Sequence, residues 1–163
     1  MAETKTEKIT RELLSKNEII NDKDGVIIYE KSEFNENPII TKALKQASKS
    51  PTGSGIGYPE FIIVSTKYKD LLIVIECKAK VTDHESKNYD KPEKYAVDGA
   101  IHYASHLSKS YDVIAIGISG EEKKNIRISS HLYLKNGVQK NLNIKEIISF
   151  EDFYEIYITD ENK

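Results

Sequence analysis

Two strongly apolar segments, Phe61 to Ser65 and Leu71 to Cys77, are separated only by Thr66-Lys67-Tyr68-Lys69-Asp70. Their composition and short connection read as a β-hairpin at the centre of the domain. The second segment runs Leu71-Leu72-Ile73-Val74-Ile75 and then turns abruptly to Glu76-Cys77-Lys78-Ala79-Lys80. Side chains two apart on a strand share a face, so Glu76, Lys78 and Lys80 point one way, while Cys77 points with Ile75 into the apolar side. Charges at the end of a core strand cost free energy unless they are paired or bind a metal. With the hairpin turning about Tyr68, Glu60 at the head of the first strand faces Glu76. Directly opposed side chains have Cβ atoms roughly 4.5–5.5 Å apart, where like charges repel. A hard divalent cation relieves that repulsion by accepting carboxylate oxygens, and Lys78 adds positive charge without entering the coordination shell.

The flanking pattern is that of an α/β domain. Thr4 to about Lys16 carries Ile9, Leu13 and Leu14 at helical spacing. A short β-type run, Val26 to Tyr29, follows Gly25, and Pro38 opens a second helix through about Ala47. Lys49 to Tyr58 is a glycine-rich loop, whose backbone freedom at Gly53 to Gly57 would let a ligand approach Glu60, with simple turn chemistry as the plainer account. It precedes a strand and contains no Gly-Lys-Ser/Thr, which excludes a nucleotide-binding phosphate loop. Val81 to Lys91 is polar and aperiodic. After Pro92, about Glu93 to Ser108, Val97, Ala100, Ile101, Ala104 and Leu107 form a helical stripe. Tyr111 to Ile118 reads as a central strand and Asn125 to Leu134 as an edge strand. Ile144, Ile147, Ile148 and Phe153 mark a last helix. The predicted order is αβαββαββ before that tail.

Composition bounds the function. The 163 residues, 39% hydrophobic and 31% charged, fit one globular unit. No apolar run reaches membrane-spanning length and no export signal opens the chain, so a cytoplasmic location is expected. Cys77, the single cysteine, supports neither an internal disulfide nor a cysteine-based zinc site. A net charge of −2 counts against autonomous tight DNA binding and fits a catalytic module whose DNA is presented by other domains or subunits.

A lone E-x-K at a strand end is ordinarily a structural ion pair, with Glu60 then a solvated strand-start residue. Here the motif caps an apolar strand, Pro59-Glu60 heads its neighbour, a glycine-rich loop precedes and a helix follows. That pattern resembles the PD-(D/E)XK nuclease superfamily. The segments GYPEFIIV, LLIVIECKAK, HESKN and KYAVDGAIHYASHL are similar to the N-terminal nuclease domain of type I-like and fused restriction-modification enzymes, which join a nuclease to an N6-adenine methyltransferase. The likeness runs from about Lys8 to Leu134.

The resemblance implies a restriction-endonuclease-like fold, a central mixed β-sheet flanked by helices, and a Mg²⁺-dependent DNA endonuclease, with Mn²⁺ as a substitute. It implies that Glu60 and Glu76 hold the metal, that the backbone carbonyl of Cys77 completes the coordination, and that Lys78 orients or activates the attacking water. Products would carry 5′-phosphate and 3′-hydroxyl ends. The family's usual first acid is Asp, where this chain has the longer Glu60. Residues 1–163 read as a single nuclease domain, excised from a larger restriction-modification protein or acting as a separate subunit. Its expected partners are DNA and methyltransferase, specificity or translocase domains or subunits. The rival readings are a non-catalytic DNA-binding or assembly module of the same fold and an unrelated ligand-binding α/β domain.

Weaker candidates surround this core. Glu12 matches in position an additional acid of some relatives, though helix surfaces are rich in Glu. Related nucleases carry a Gln and a Tyr four apart on the helix after the hairpin; Tyr103 matches the Tyr, but Gly99 stands where the Gln would be. His102 and Tyr103 are candidates for contacting a phosphate or a ligating carboxylate, Lys94 and Asp98 read as a solvated face, and His84, Glu85, His106 and His131 as surface residues.

Overall fold

The computed structural model of the chain describes residues 4–50 and 55–161. Its elements, in order, are α1 (Lys5–Lys16), β1 (Val26–Glu30), α2 (Pro38–Leu44), β2 (Phe61–Ser65), β3 (Leu71–Lys78), α3 (Ala96–Leu107), β4 (Asp112–Ser119), β5 (Arg127–Tyr133), β6 (Gln139–Asn141) and α4 (Phe150–Glu161). The six strands form one mixed sheet in sequence order. All neighbours are antiparallel except β3 and β4, which run parallel because α3 carries the chain back between them. The fold class is α/β, a mixed sheet flanked by helices, as the sequence predicts.

Alternation along the strands divides the interior in two. Phe61, Ile63, Ile73, Ile75 and Cys77 pack with Leu14 of α1 and with Phe150, Phe153 and Tyr157 of α4. Ile62, Leu72 and Val74 face the other way, against Ile40 and Leu44 of α2 and Ala100, Tyr103, Ala104 and Leu107 of α3. β4 is buried along its whole length, as its continuously apolar sequence requires. α3 approaches the sheet closely because Gly117 lies beneath it: a Cβ there would stand 2.5 Å from the Val97 backbone nitrogen. Local signals start the helices. Thr4 and Glu7 form a capping box on α1, and Asn37 caps α2, whose first residue is Pro38.

Several boundaries depart from the sequence reading. α2 ends at Leu44 and α3 begins at Ala96, because turns occupy the residues beyond each. β5 is not the sheet edge; β6, fully exposed and three residues long, pairs with it. Its hairpin is marked by Asn136-Gly137, with Gly137 at φ +89°, a turn signal that outweighs the absence of an apolar run. The last helix starts at Phe150, after Ile144, Ile147 and Ile148, where the Ser149 hydroxyl accepts from the Asp152 N–H. Of the glycine-rich loop, residues 51–54 lie outside the described residues. No helix among the described residues is long and apolar enough to cross a membrane.

Candidate active site

The β2–β3 ladder pairs Phe61 with Ile75 and Ile62 with Val74, the register that places Glu60 opposite Glu76. The two acids meet there: the Glu60 N–H donates to Glu76 Oε1 at 3.1 Å. Glu76 has no exposed surface. Glu60 Oε2 is buried and has no hydrogen-bond partner among the described residues. Burial, and then the negative charge of Glu76, hold the Glu60 carboxyl well above the usual carboxylate range. This favours its protonated form in the metal-free protein.

The cation that balances Glu76 is Lys49, which the sequence reading passed over. Its ammonium lies 2.5 Å from Glu76 Oε2 and 5.5 Å from the centre of the Tyr103 ring. The charge of Glu76 and their hydrogen bond outweigh desolvation and hold the Lys49 pKa above its ordinary value. Lys78 is the last residue of β3 and shares the Glu76 face, but its ammonium donates to the Glu93 carbonyl at 2.8 Å in an exposed position. The ion pair of Glu76 is thus with Lys49 and not with Lys78. The Lys78 carbonyl accepts from the Gly120 N–H on the β4 side. Since successive carbonyls of a strand point to opposite edges, that of Cys77 faces the β2 side, beyond the last ladder pair.

The other candidates separate. Glu12 is paired with Lys123 at 2.6 Å on the outer face of α1, away from the acids. The buried acid of α1 is Glu7, which accepts from the Thr4 N–H and lies 3.5 Å from Lys31. The His102 Nε2–H donates to the Ala47 carbonyl at 2.8 Å, so it ties down the segment leading to Lys49 and does not reach the carboxylates. Tyr103 is buried beneath Lys49, and burial followed by the charges of Glu76 and Glu60 raises its pKa. At Gly99 a Cβ would stand 3.2 Å from Glu76 Oε2 and 3.1 Å from the Pro92 carbonyl. The place of the expected Gln is thus filled by close contact between α3 and Glu76.

Two readings of surface residues are overturned. Asp98 is fully buried and accepts from the Ser86 N–H at 3.0 Å, the Lys91 N–H at 2.9 Å and the Ser86 hydroxyl, which pins the polar loop to the first turn of α3. His84 is fully buried between the hydroxyls of Ser119 and Ser129, each 2.8 Å from a ring nitrogen. His131 is buried too. A neutral imidazole between two hydroxyls donates through one nitrogen and accepts through the other, and protonation would cost it the acceptor. Burial and the charge of Arg127 lower the His84 pKa from 6.5 to about 4.

The unfolded state therefore binds this proton first. Stability from His84 is complete above pH 6.5 and is lost as pH falls towards 4. The wild-type melting temperature should drop by a few degrees more than that of His84→Gln between pH 6.5 and 5. Parallel pH dependence in the two proteins would show that His84 does not carry it.

A cavity of about 350 Å³ opens on the Lys49 side of the site, with Lys49, Tyr58, Glu93 and Tyr103 in its wall. A larger one, about 990 Å³, lies at the far end of the strands by the β2–β3 turn, lined by Ile27, Ile39, Val64 and Tyr111 among others. Volume does not make it the site, because the opposed carboxylates are elsewhere. Among the described residues no group of three or more His, Cys, Asp or Glu side chains is placed to hold a metal. The pair still fits Mg²⁺, which keeps several waters and takes one or two protein carboxylates. The orphaned Glu60 Oε2 fits it further, since a cation gives that oxygen the partner it lacks.

Comparison with curated proteins finds the type II restriction enzyme and methyltransferase RM.BcgI of Heyndrickxia coagulans, 35% identical over 141 residues. The match covers 75% of this chain and 21% of that protein. The chain is thus related to part of a restriction-modification protein and spans about a fifth of its length. No family model matches the sequence. No solved structure matches it either.

Proposed function

We propose that the chain is the Mg²⁺-dependent DNA endonuclease domain of a restriction-modification system, with a restriction-endonuclease-like fold of the PD-(D/E)XK superfamily. The observation that carries this reading is the pair of opposed acids: Glu76 is buried and paired with Lys49, and Glu60 beside it has one buried carboxylate oxygen without a partner among the described residues. The similarity to a restriction enzyme and methyltransferase supports it.

Glu60 and Glu76 would hold the metal, with the Cys77 carbonyl beside them. A bound Mg²⁺ would polarise a phosphoryl oxygen and lower the pKa of a water. Loading the site requires Glu60 to release its proton, because metal ligands must be deprotonated. Lys78, half-buried at the strand end, would turn from the Glu93 carbonyl to the scissile phosphate and stabilise the charge that develops there. DNA would be presented by methyltransferase, specificity or translocase domains or subunits, in keeping with the net charge of −2.

One observation favours a non-catalytic module of the same fold: Lys49 against Glu76, with Glu60 protonated, is electrically self-sufficient without metal. The two readings part on one preparation of the chain. A nuclease nicks supercoiled plasmid in millimolar Mg²⁺ or Mn²⁺ and is silenced by EDTA, while Mg²⁺, Mn²⁺ and Ca²⁺ each raise its melting temperature by mass action. Absence of nicking together with an unchanged melting temperature in all three cations would leave the non-catalytic module.

A further inference from the structure

Lys49 stands on the oxygen that a divalent cation would need. Its ammonium is in contact with Glu76 Oε2, while Oε1 of the same carboxylate accepts from the Glu60 N–H. The backbone around it is anchored. The Ala47 N–H donates to the Leu44 carbonyl and the Ser48 N–H to the Gly55 carbonyl, and His102 holds the Ala47 carbonyl from α3. The ammonium is freer than this backbone, since it ends a four-carbon stem with rotatable bonds. Lys49 lines the cavity of about 350 Å³, which offers the ammonium a place to move. A divalent cation shared by Glu60 and Glu76 would meet Lys49 at contact range, where two positive charges repel strongly in partly desolvated surroundings.

Resting on the metal-site reading above, we propose that Lys49 is an internal counterion that occupies the divalent-cation position in the metal-free protein and must swing into the cavity before metal can bind. The pair then acts as a lock that sets the metal concentration at which the site loads. Apparent affinity falls by the fraction of molecules in which the lock is open, so a lock open one-tenth of the time weakens binding about tenfold. The displaced ammonium would also bring positive charge to the cavity mouth, where a DNA phosphate approaches the acids.

The test is calorimetric titration of the chain with Mn²⁺ and with Ca²⁺, in the absence of DNA, alongside a melting curve for each protein. Lys49→Met removes the charge and should bind both cations about tenfold more tightly than wild type. Lys49→Gln, which keeps a donor to Glu76 without the charge, carries the same expectation and serves if the methionine variant does not fold. Lys49→Arg keeps the charge and should stay as weak as wild type, and Glu76→Gln should show no site. Binding seen only in the Lys49→Met or Lys49→Gln protein would be the strongest support. If wild type binds metal through Glu76 and neither neutral variant binds more tightly, the lock is overturned and the metal site stands. No binding in wild type or in either neutral variant overturns both.

Discussion

Glu76→Gln should lower metal-dependent nicking of plasmid DNA by roughly 10²–10³-fold or more, the scale on which a lost electrostatic stabiliser reduces turnover. The protein should nevertheless remain folded. Glutamine has the length of glutamate and keeps a carbonyl oxygen to accept the Glu60 N–H, a bond of 3.1 Å in the wild type. Lys49 loses its ionised partner, but a second carboxyl lies beside it. Glu60 is held protonated by burial and by the charge of Glu76, so removing that charge favours its ionisation and gives the ammonium a new counterion. The buried charge is therefore not left alone, the condition under which loss of one partner becomes severely destabilising. The metal-induced rise in melting temperature should disappear along with nicking, because one carboxylate of the pair is gone. A folded Glu76→Gln protein that nicks as wild type does would end the assignment of chemistry to this site.

How far the site could be read in advance depends on the kind of signal each residue carries. The hairpin register was legible, since a slip of one residue would send Phe61, Ile63, Ile73 and Ile75 to the other face. The turn needs no glycine. Asp70 takes the left-handed conformation at φ +76°, and the Ser65 hydroxyl accepts from the N–H groups of Lys67 and Tyr68. Opposition of Glu60 and Glu76 followed from that register alone.

Lys49 was not legible in the same way. It lies 27 positions from Glu76, in a segment without periodicity, in a chain with 24 basic residues, and only the folding of the loop after α2 onto α3 selects it. The one available clue was electrostatic: two opposed acids needed a cation, and Lys78 was the lysine nearest in sequence. His84 and Asp98 show a related limit. Hydrophobic periodicity reports apolar burial, whereas these two are buried through hydrogen bonds, His84 to serines of β4 and β5 and Asp98 to backbone N–H groups of the polar loop. A polar, aperiodic stretch reads as surface even where it is folded inward.

Lys78→Met should separate metal binding from chemistry. The side chain makes no ion pair with Glu76, and its hydrogen bond to the Glu93 carbonyl is exposed, so its loss should change stability by less than about 1 kcal/mol. Methionine keeps most of the apolar stem along the strand face while deleting the charge. The acids and Lys49 are left as they were, and the rise in melting temperature with Ca²⁺ or Mn²⁺ should survive, or grow slightly as a nearby positive charge is removed. Nicking should fall by roughly 10²–10³-fold, about 2.7–4 kcal/mol of transition-state stabilisation, if Lys78 meets the charge developing on the phosphate. A purely structural Lys78 predicts a different pair of results, with nicking unchanged and the melting temperature carrying whatever effect there is. Both quantities are read on the same preparation, so a folding defect cannot pass for a catalytic one. Lys78→Met protein that keeps its metal response and nicks at the wild-type rate would remove Lys78 from the mechanism and return the search for the charge stabiliser to Lys49.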